Sequence, residues 1–351
     1  MKKALVLSVA LASVVFAASD ADLLKSAKEV GLAPLPTTQK TIEAELNRIG
    51  VKPNVYSEAK AELGKKLYFE PRLSKSTIIS CNTCHNLAIG GVDGIAASTG
   101  HQWTPNPHHV NAPSVYNSIL NASQFWDGRA GDLVDQAKGP MVAQPEMAST
   151  PELIESRLKS IPEYVEEFKK IYKDGVTFAN AADAIATFER TLITPSRFDK
   201  FLNGDMKALT KDEKAGLATF IDKGCTACHT GPILGGSMQA FEVAGKYEFA
   251  NVGDFKGDAN GMVRTPTLRN VEYTAPYFHN GAIWTLTDAV KTMGSVQLGI
   301  EITDKEAKSI ITFLKSLTGE MPKIVYPILP PSTDNTPRPI MDYLPQQTSA
   351  K

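Results

Sequence analysis

The sequence predicts an all-α fold of two domains with long loops and little strand. Three observations carry that prediction. Apolar residues recur at helical spacing behind recognisable N-caps in five places, runs of strict alternation are nearly absent, and one five-residue cysteine pattern occurs twice, about 140 residues apart. A length of 351 residues with 42% hydrophobic side chains supplies apolar material for one large domain or two ordinary ones. That composition excludes disordered and collagen-like chains.

Taken in order, Met1 to Ala18 carries Lys2 and Lys3, an apolar run from Ala4 to Phe16, then two small residues before Asp20. This is the pattern of a secretory signal peptide, residues 1–18, and its apolar core is well short of the ~20 residues a spanning helix needs. Its removal takes away two Lys and no acid, leaving 35 basic and 38 acidic side chains and a net charge of −3. Such a balance offers no basic surplus for a nucleic-acid partner. No later segment is long and apolar enough to span a membrane, so an exported, periplasmic protein is expected.

Ser57 precedes a periodic run through Leu63, Leu67 and Phe69. Thr150-Pro151-Glu152 is a cap with Pro at the first helical position, and the run from Thr177 to Leu192 sets Phe178, Ala182, Ile185 and Phe188 on one face. Thr210 with Glu213 and Thr303 with Glu306 read as capping boxes, closed by Gly224 and Gly319. Between them lie loops rich in Gly and Pro, notably Gly90 to Gly100, Thr104 to Pro107 and Gly253 to Gly261.

All four cysteines fall in CNTCH, Cys81 to His85, and CTACH, Cys225 to His229. C-x-x-C followed at once by His is the covalent attachment signature of haem c. Two thiols one helical turn apart can add to the two vinyl groups of a porphyrin, and the adjacent His then reaches the iron. A zinc ribbon needs its pairs about 15 to 20 residues apart, disulfides within C-x-x-C hairpins would close only short loops, and a thioredoxin-like site wants a β-α-β context. None of these fits two motifs that consume every cysteine. Two cytochrome c-like haem domains are therefore expected, residues 19–195 and 196–321, followed by a Pro-rich tail, 322–351, too extended to form a core.

The second axial position on each iron separates electron transfer from reaction with a small molecule. His101, in a Gly-bordered loop, is a candidate for the first iron, with His108 and His109 as alternatives; Met262 and Met293 are candidates for the second.

The stretches CNTCHNLAIGGVDG, TGHQWTP, NAPSVYN, FWDGRAGDLVDQAKGP, YTAPYFHNG and KTMGSVQLG resemble the bacterial di-haem cytochrome c peroxidases, and the resemblance runs from about Asp20 to Gly319. It implies that Cys81, Cys84 and His85 hold a low-potential haem where hydrogen peroxide reacts, with His101 as its displaceable distal ligand. It implies that Cys225, Cys228 and His229 hold a high-potential haem with Met293 as axial ligand. Trp126 matches the aromatic residue between the haems, Glu146 and Gln136 the polar residues of the peroxide pocket, and Asn111, Thr274 and Pro276 the positions that bind a structural calcium ion. Related enzymes that mature tryptophan tryptophylquinone carry Tyr where this chain has Met293, which argues against that activity.

The chemistry agrees with the resemblance. Reducing hydrogen peroxide to water takes two electrons and two protons, and Glu146 is a suitable proton shuttle. Met ligation raises one iron's potential and His ligation keeps the other low, so one haem can store an electron. The oxygen donors of Asn111, Thr274 and Pro276 suit Ca²⁺, though no carboxylate is among them. The resemblance also implies a small periplasmic cytochrome c or a blue copper protein as donor, and family members commonly form homodimers. The competing reading is a di-haem electron carrier with both irons permanently six-coordinate.

Overall fold

The computed structural model describes residues 19–341. The segment read as a signal peptide and the last ten residues of the tail lie outside the described residues. Among those described, the helices are α1 (Asp20–Glu29), α2 (Gln39–Arg48), α3 (Glu58–Tyr68), α4 (Cys81–Cys84), α5 (Leu133–Val142), α6 (Pro151–Lys159), α7 (Pro162–Ile171), α8 (Phe178–Glu189), α9 (Arg197–Leu202), α10 (Lys211–Asp222), α11 (Leu286–Met293) and α12 (Asp304–Lys315). One two-stranded antiparallel sheet accompanies them, β1 (Met238–Ala240) with β2 (Met262–Arg264), Gln239 opposite Val263. No described helix is long and apolar enough to cross a membrane.

The caps act where the sequence places them. Oγ of Ser57, Thr150 and Thr177 accepts from the backbone N–H three residues on, and Thr210 and Thr303 form capping boxes with Glu213 and Glu306. Gly224 follows α10 at φ +80°, a conformation in which a Cβ is strained. Gly319 has another task. Helix α12 ends at Lys315, and Gly319 lies so close to Thr194 that a Cβ would stand 2.0 Å from its carbonyl oxygen, while its N–H donates to Asn270 Oδ1.

Each half is built on one close helix crossing. In the first, α3 packs on α8, with Leu63, Leu67, Ile185 and Phe188 at the centre of a core completed by Ile154, Tyr164 and Phe168. In the second, α10 packs on α12 through Leu217, Phe220, Ile310 and Phe313, with Phe198 and Phe201 of α9 beside them. Both crossings depend on a glycine. A Cβ at Gly64 would lie 1.8 Å from Ala184 O and one at Gly216 2.2 Å from Ser309 O, so only a bare backbone admits the approach. These crossings fix the framework on which both cysteine motifs sit.

The boundary at residue 195 needs one correction. Helix α1 packs on α9 and α10, and Ala27 and Leu32 are buried in the second core, not the first. A ten-residue helix cannot bury its apolar stripe alone, and the stripe of α1 closes the open flank of α9. Leu35 then donates its N–H to the buried Asp199 at 2.8 Å. Helix α2 lies between the halves, with Ile42 and Leu46 against Leu120, Ala186 and Ile233. The Pro-rich tail returns across the first half, where the Tyr326 ring packs at a tilt against Phe69 and the buried Arg157 guanidinium donates to the carbonyls of Pro337 and Arg338.

Candidate active site

The first cavity, about 330 Å³, opens beside α4 and is lined by Cys81, Cys84, His85, Trp126, Gln136, Glu146 and Glu189. Ser80 donates its N–H to Thr83 Oγ1 at 2.9 Å, which starts the short helix that spaces the two thiols, and His85 N–H closes it on Cys81 O. The His85 ring donates Nδ1–H to Pro113 O at 2.9 Å, while Tyr68 donates its hydroxyl to His85 O at 2.6 Å. The ring is thereby fixed with Nε2 left for a metal. Burial pushes its pKa down, so the imidazole is neutral, as a ligand must be.

The second cavity, about 210 Å³ and mostly apolar, is lined by Cys225, Cys228, His229, Phe220 and Met293. The His229 ring donates Nδ1–H to Leu234 O at 3.0 Å, the same arrangement as His85, and burial again lowers its pKa. Met293 ends α11, just before a wide turn over Gly294–Leu298, and reaches the same cavity as His229. All four thiols are unpaired, and the two pairs open into different cavities, an arrangement unsuited to one tetrahedral metal site.

These residues fit haem c: paired thiols one turn apart, a neutral oriented imidazole, and a cavity beyond each motif. The rest of the chain decides what such a pair of cofactors does. A family model for di-haem cytochrome c peroxidase matches residues 58–207, and one for cytochrome c matches 213–318. The chain is 50% identical over 287 residues to cytochrome c551 peroxidase of Nitrosomonas europaea, covering 79% of this chain and 85% of the relative. It is 48% identical over 299 residues to cytochrome c551 peroxidase of Pseudomonas aeruginosa, covering 81% and 85%. The chain belongs to the di-haem cytochrome c peroxidase family. Among solved structures, a MauG-like protein associated with microbial copper homeostasis is similar at TM-score 0.66 and 25% identity, covering 77% of this chain and 93% of that one. The peroxidase thus carries two haem c groups and is an oxidoreductase acting on peroxide.

In this peroxidase Trp126 lines both cavities. Its indole N–H donates to Asn111 O at 2.9 Å, and the Arg264 guanidinium lies 5.8 Å from its ring centre. Gln136, on α5, and Glu146, just beyond it, line the first cavity together. Burial raises the Glu146 pKa, and the positive charge of Arg129 pulls against that rise. His101 is buried but does not line the cavity: its peptide N–H donates to Glu146 O, and its ring lies in the turn His101–Trp103. His108 does line it, and its Nδ1 meets Asp254 Oδ2 at 2.8 Å, while His109 does not.

Asn111, Thr274 and Pro276 meet at the wall of the second cavity. Asn111 Nδ2 donates to Pro276 O at 2.7 Å and to Phe278 O at 3.2 Å, a direct tie between the halves. Calcium requires the amide turned over, so that Oδ1 faces the ion beside the two carbonyls. Further charged residues lie at the first cavity without having been singled out from the sequence, among them Arg129, Glu189 and Arg264. Arg129 stands inside the quoted run FWDGRAGDL, whereas nothing in local spacing marks the other two.

Proposed function

We propose that the chain reduces hydrogen peroxide at the Cys81–His85 haem, with electrons that enter at the Cys225–His229 haem from a small periplasmic cytochrome c or a blue copper protein. The observation that carries this reading is that Glu146 and Gln136 share a cavity with His85, while Trp126 lines that cavity and the other. Haem c bound at each motif supplies redox-active iron, one to reduce peroxide and the other to hold the second electron. Glu146 would take a proton from one peroxide oxygen and return it to the leaving oxygen, which departs as one water, while two electrons from the donor and two protons from solvent turn the other oxygen into the second. Gln136 holds the peroxide by hydrogen bonds from its amide. Trp126 fills the space between the cavities and shortens the electron's path through saturated protein. His101 would serve as the displaceable ligand of the first iron, and Met293, which lines the second cavity, would hold the second.

Calcium at Asn111, Thr274 and Pro276 would replace the Asn111–Pro276 hydrogen bond by a shared ion and so tie the halves together. The basic and apolar N-terminal stretch supports a periplasmic location. The test is turnover of the haem-loaded chain with peroxide and a reduced small cytochrome c or cupredoxin. Oxidation of the donor at a rate set by peroxide is expected in the parent and is lost in Glu146→Gln. Donor oxidation unaffected by that change would overturn the assignment of Glu146.

A further inference from the structure

Four arginines of the described chain are almost wholly buried, and three have an evident counterpart. Arg269 forms two hydrogen bonds of 2.8 Å with the Asp199 carboxylate. Arg190 reaches Glu43 at 2.7 Å, and Arg157 donates to five backbone carbonyls. Arg264 differs. It is 3% exposed, yet its side chain meets only two acceptors, Phe125 O at 2.9 Å from Nε and Asn121 Oδ1 at 3.1 Å from Nη1, and no described carboxylate pairs with it. Both acceptors are neutral, and a guanidinium carries five N–H donors. A buried cation held in this way is costly unless an anion joins it.

Its place in the fold indicates which anion. Arg264 is the last residue of β2, lines both cavities, and donates its peptide N–H to Trp126 O at 2.7 Å while its guanidinium lies 5.8 Å from the Trp126 ring. Asn121 is oriented toward it because the amide of Asn121 donates on its other side to Gln124 Oε1, and Gln124 in turn donates to Ser118 O. The rest of the guanidinium stands where Arg264 lines both cavities, the spaces that fit the two cofactors. Haem c carries two propionate carboxylates, and each cavity receives one haem.

We propose that Arg264 is a positioning residue shared by both haems, its guanidinium binding haem carboxylates from the two cavities and placing one positive charge beside the interhaem path at Trp126. The proposal rests on the two-haem reading above. Burial lowers the guanidinium's pKa to about 10, which leaves it charged at neutral pH. A positive charge near an iron favours the reduced form, so one cation between the cavities holds both reduction potentials up together. A purely structural arginine would not do this.

The test is a spectroelectrochemical titration of the full-length, haem-loaded chain. Arg264→Gln is expected to lower the midpoint potentials of both haems, and Arg264→Lys, which keeps the charge, to restore most of the shift. Asn121→Asp, which gives the guanidinium a protein carboxylate, is expected to lower both as well; it carries the test should the Gln variant fail to fold. A shift confined to one haem, no shift in either, or a Lys variant displaced as far as the Gln variant overturns the proposal. Haem content of the parent by pyridine haemochrome is read first, and fewer than two haem c per chain would instead defeat the two-haem reading.

Discussion

The peptide N–H of His101 donates to the carbonyl oxygen of Glu146 at 2.6 Å, so the loop with the candidate distal ligand and the segment with the candidate proton shuttle are one hydrogen-bonded unit. Gly100 permits the approach, since a Cβ there would stand 2.0 Å from Pro145 O and 2.6 Å from Glu146 O. In this arrangement the His101 ring does not line the first cavity and Glu146 does. Were His101 to ligate the first iron and leave it, this hydrogen bond would couple its movement to the segment that carries Glu146.

His101→Gly keeps the peptide N–H that docks on Glu146 and removes only the imidazole. If His101 closes the resting enzyme, the fully oxidised variant is expected to turn over peroxide at once and the parent to require prior reduction of the second haem. Initial rates from oxidised and half-reduced enzyme decide the matter. Equal dependence on pre-reduction in both proteins would remove His101 from the role of gate.

Glu146→Gln is expected to lower kcat by about 10² to 10⁴, the usual contribution of a positioned proton-transfer group. Glu146 must be ionised to take the first proton. Burial raises its pKa, so activity falls as pH drops through a value above the ordinary carboxylate range. The charge of Arg129 holds that value down, and Arg129→Gln should move the acid limb of kcat/KM toward higher pH. An acid limb unmoved by Arg129→Gln would assign it to another group.

The two candidate haem motifs were legible because their chemistry is local: five consecutive residues hold the thiols and the imidazole. The caps of α3, α6, α8, α10 and α12 were legible for the same reason. What escaped depends on distant contacts. Arg264, on a three-residue strand, is notable only because folding buries it beside Trp126 without a carboxylate. Gly319 resembles a helix stop in sequence and instead serves a backbone contact with Thr194. Nothing in the sequence marks the partner of α1, which packs in the half encoded about 170 residues later.

Glu189 ends α8 inside the first cavity, 6% exposed, and burial pushes its pKa from 4.5 to about 8. The folded chain thus holds a proton at neutral pH that the unfolded chain releases. Stability from this group is complete below the unfolded value and is lost as pH rises toward 8. Glu189→Gln cannot ionise. Its advantage over the parent is expected to grow between about pH 5 and pH 8 and then level off, as read from denaturant midpoints at several pH values. A constant difference across that range would show that Glu189 is not protonated in the folded protein.

Arg157 gives the tail a role in the site. Its guanidinium donates to the carbonyls of Arg72, Ser74 and Lys75 on one side and of Pro337 and Arg338 on the other, and Ile340 N–H returns to Lys75 O at 3.0 Å. Lys75 N–H in turn donates to Met147 O at 2.9 Å, one residue from Glu146. The clamp therefore holds the tail against the segment that contacts Met147, next to the candidate proton shuttle Glu146. Arg157→Ala leaves buried carbonyls without donors and is expected to cost on the order of 3 kcal/mol of stability. It should also free the tail for tryptic cleavage at Lys323 and lower kcat. Arg157→Lys is expected to behave nearly as badly, because one ammonium cannot span carbonyls on both sides as a planar guanidinium does. A stable Lys variant with a protected tail and full turnover would show that charge alone, without the fork, holds these segments together.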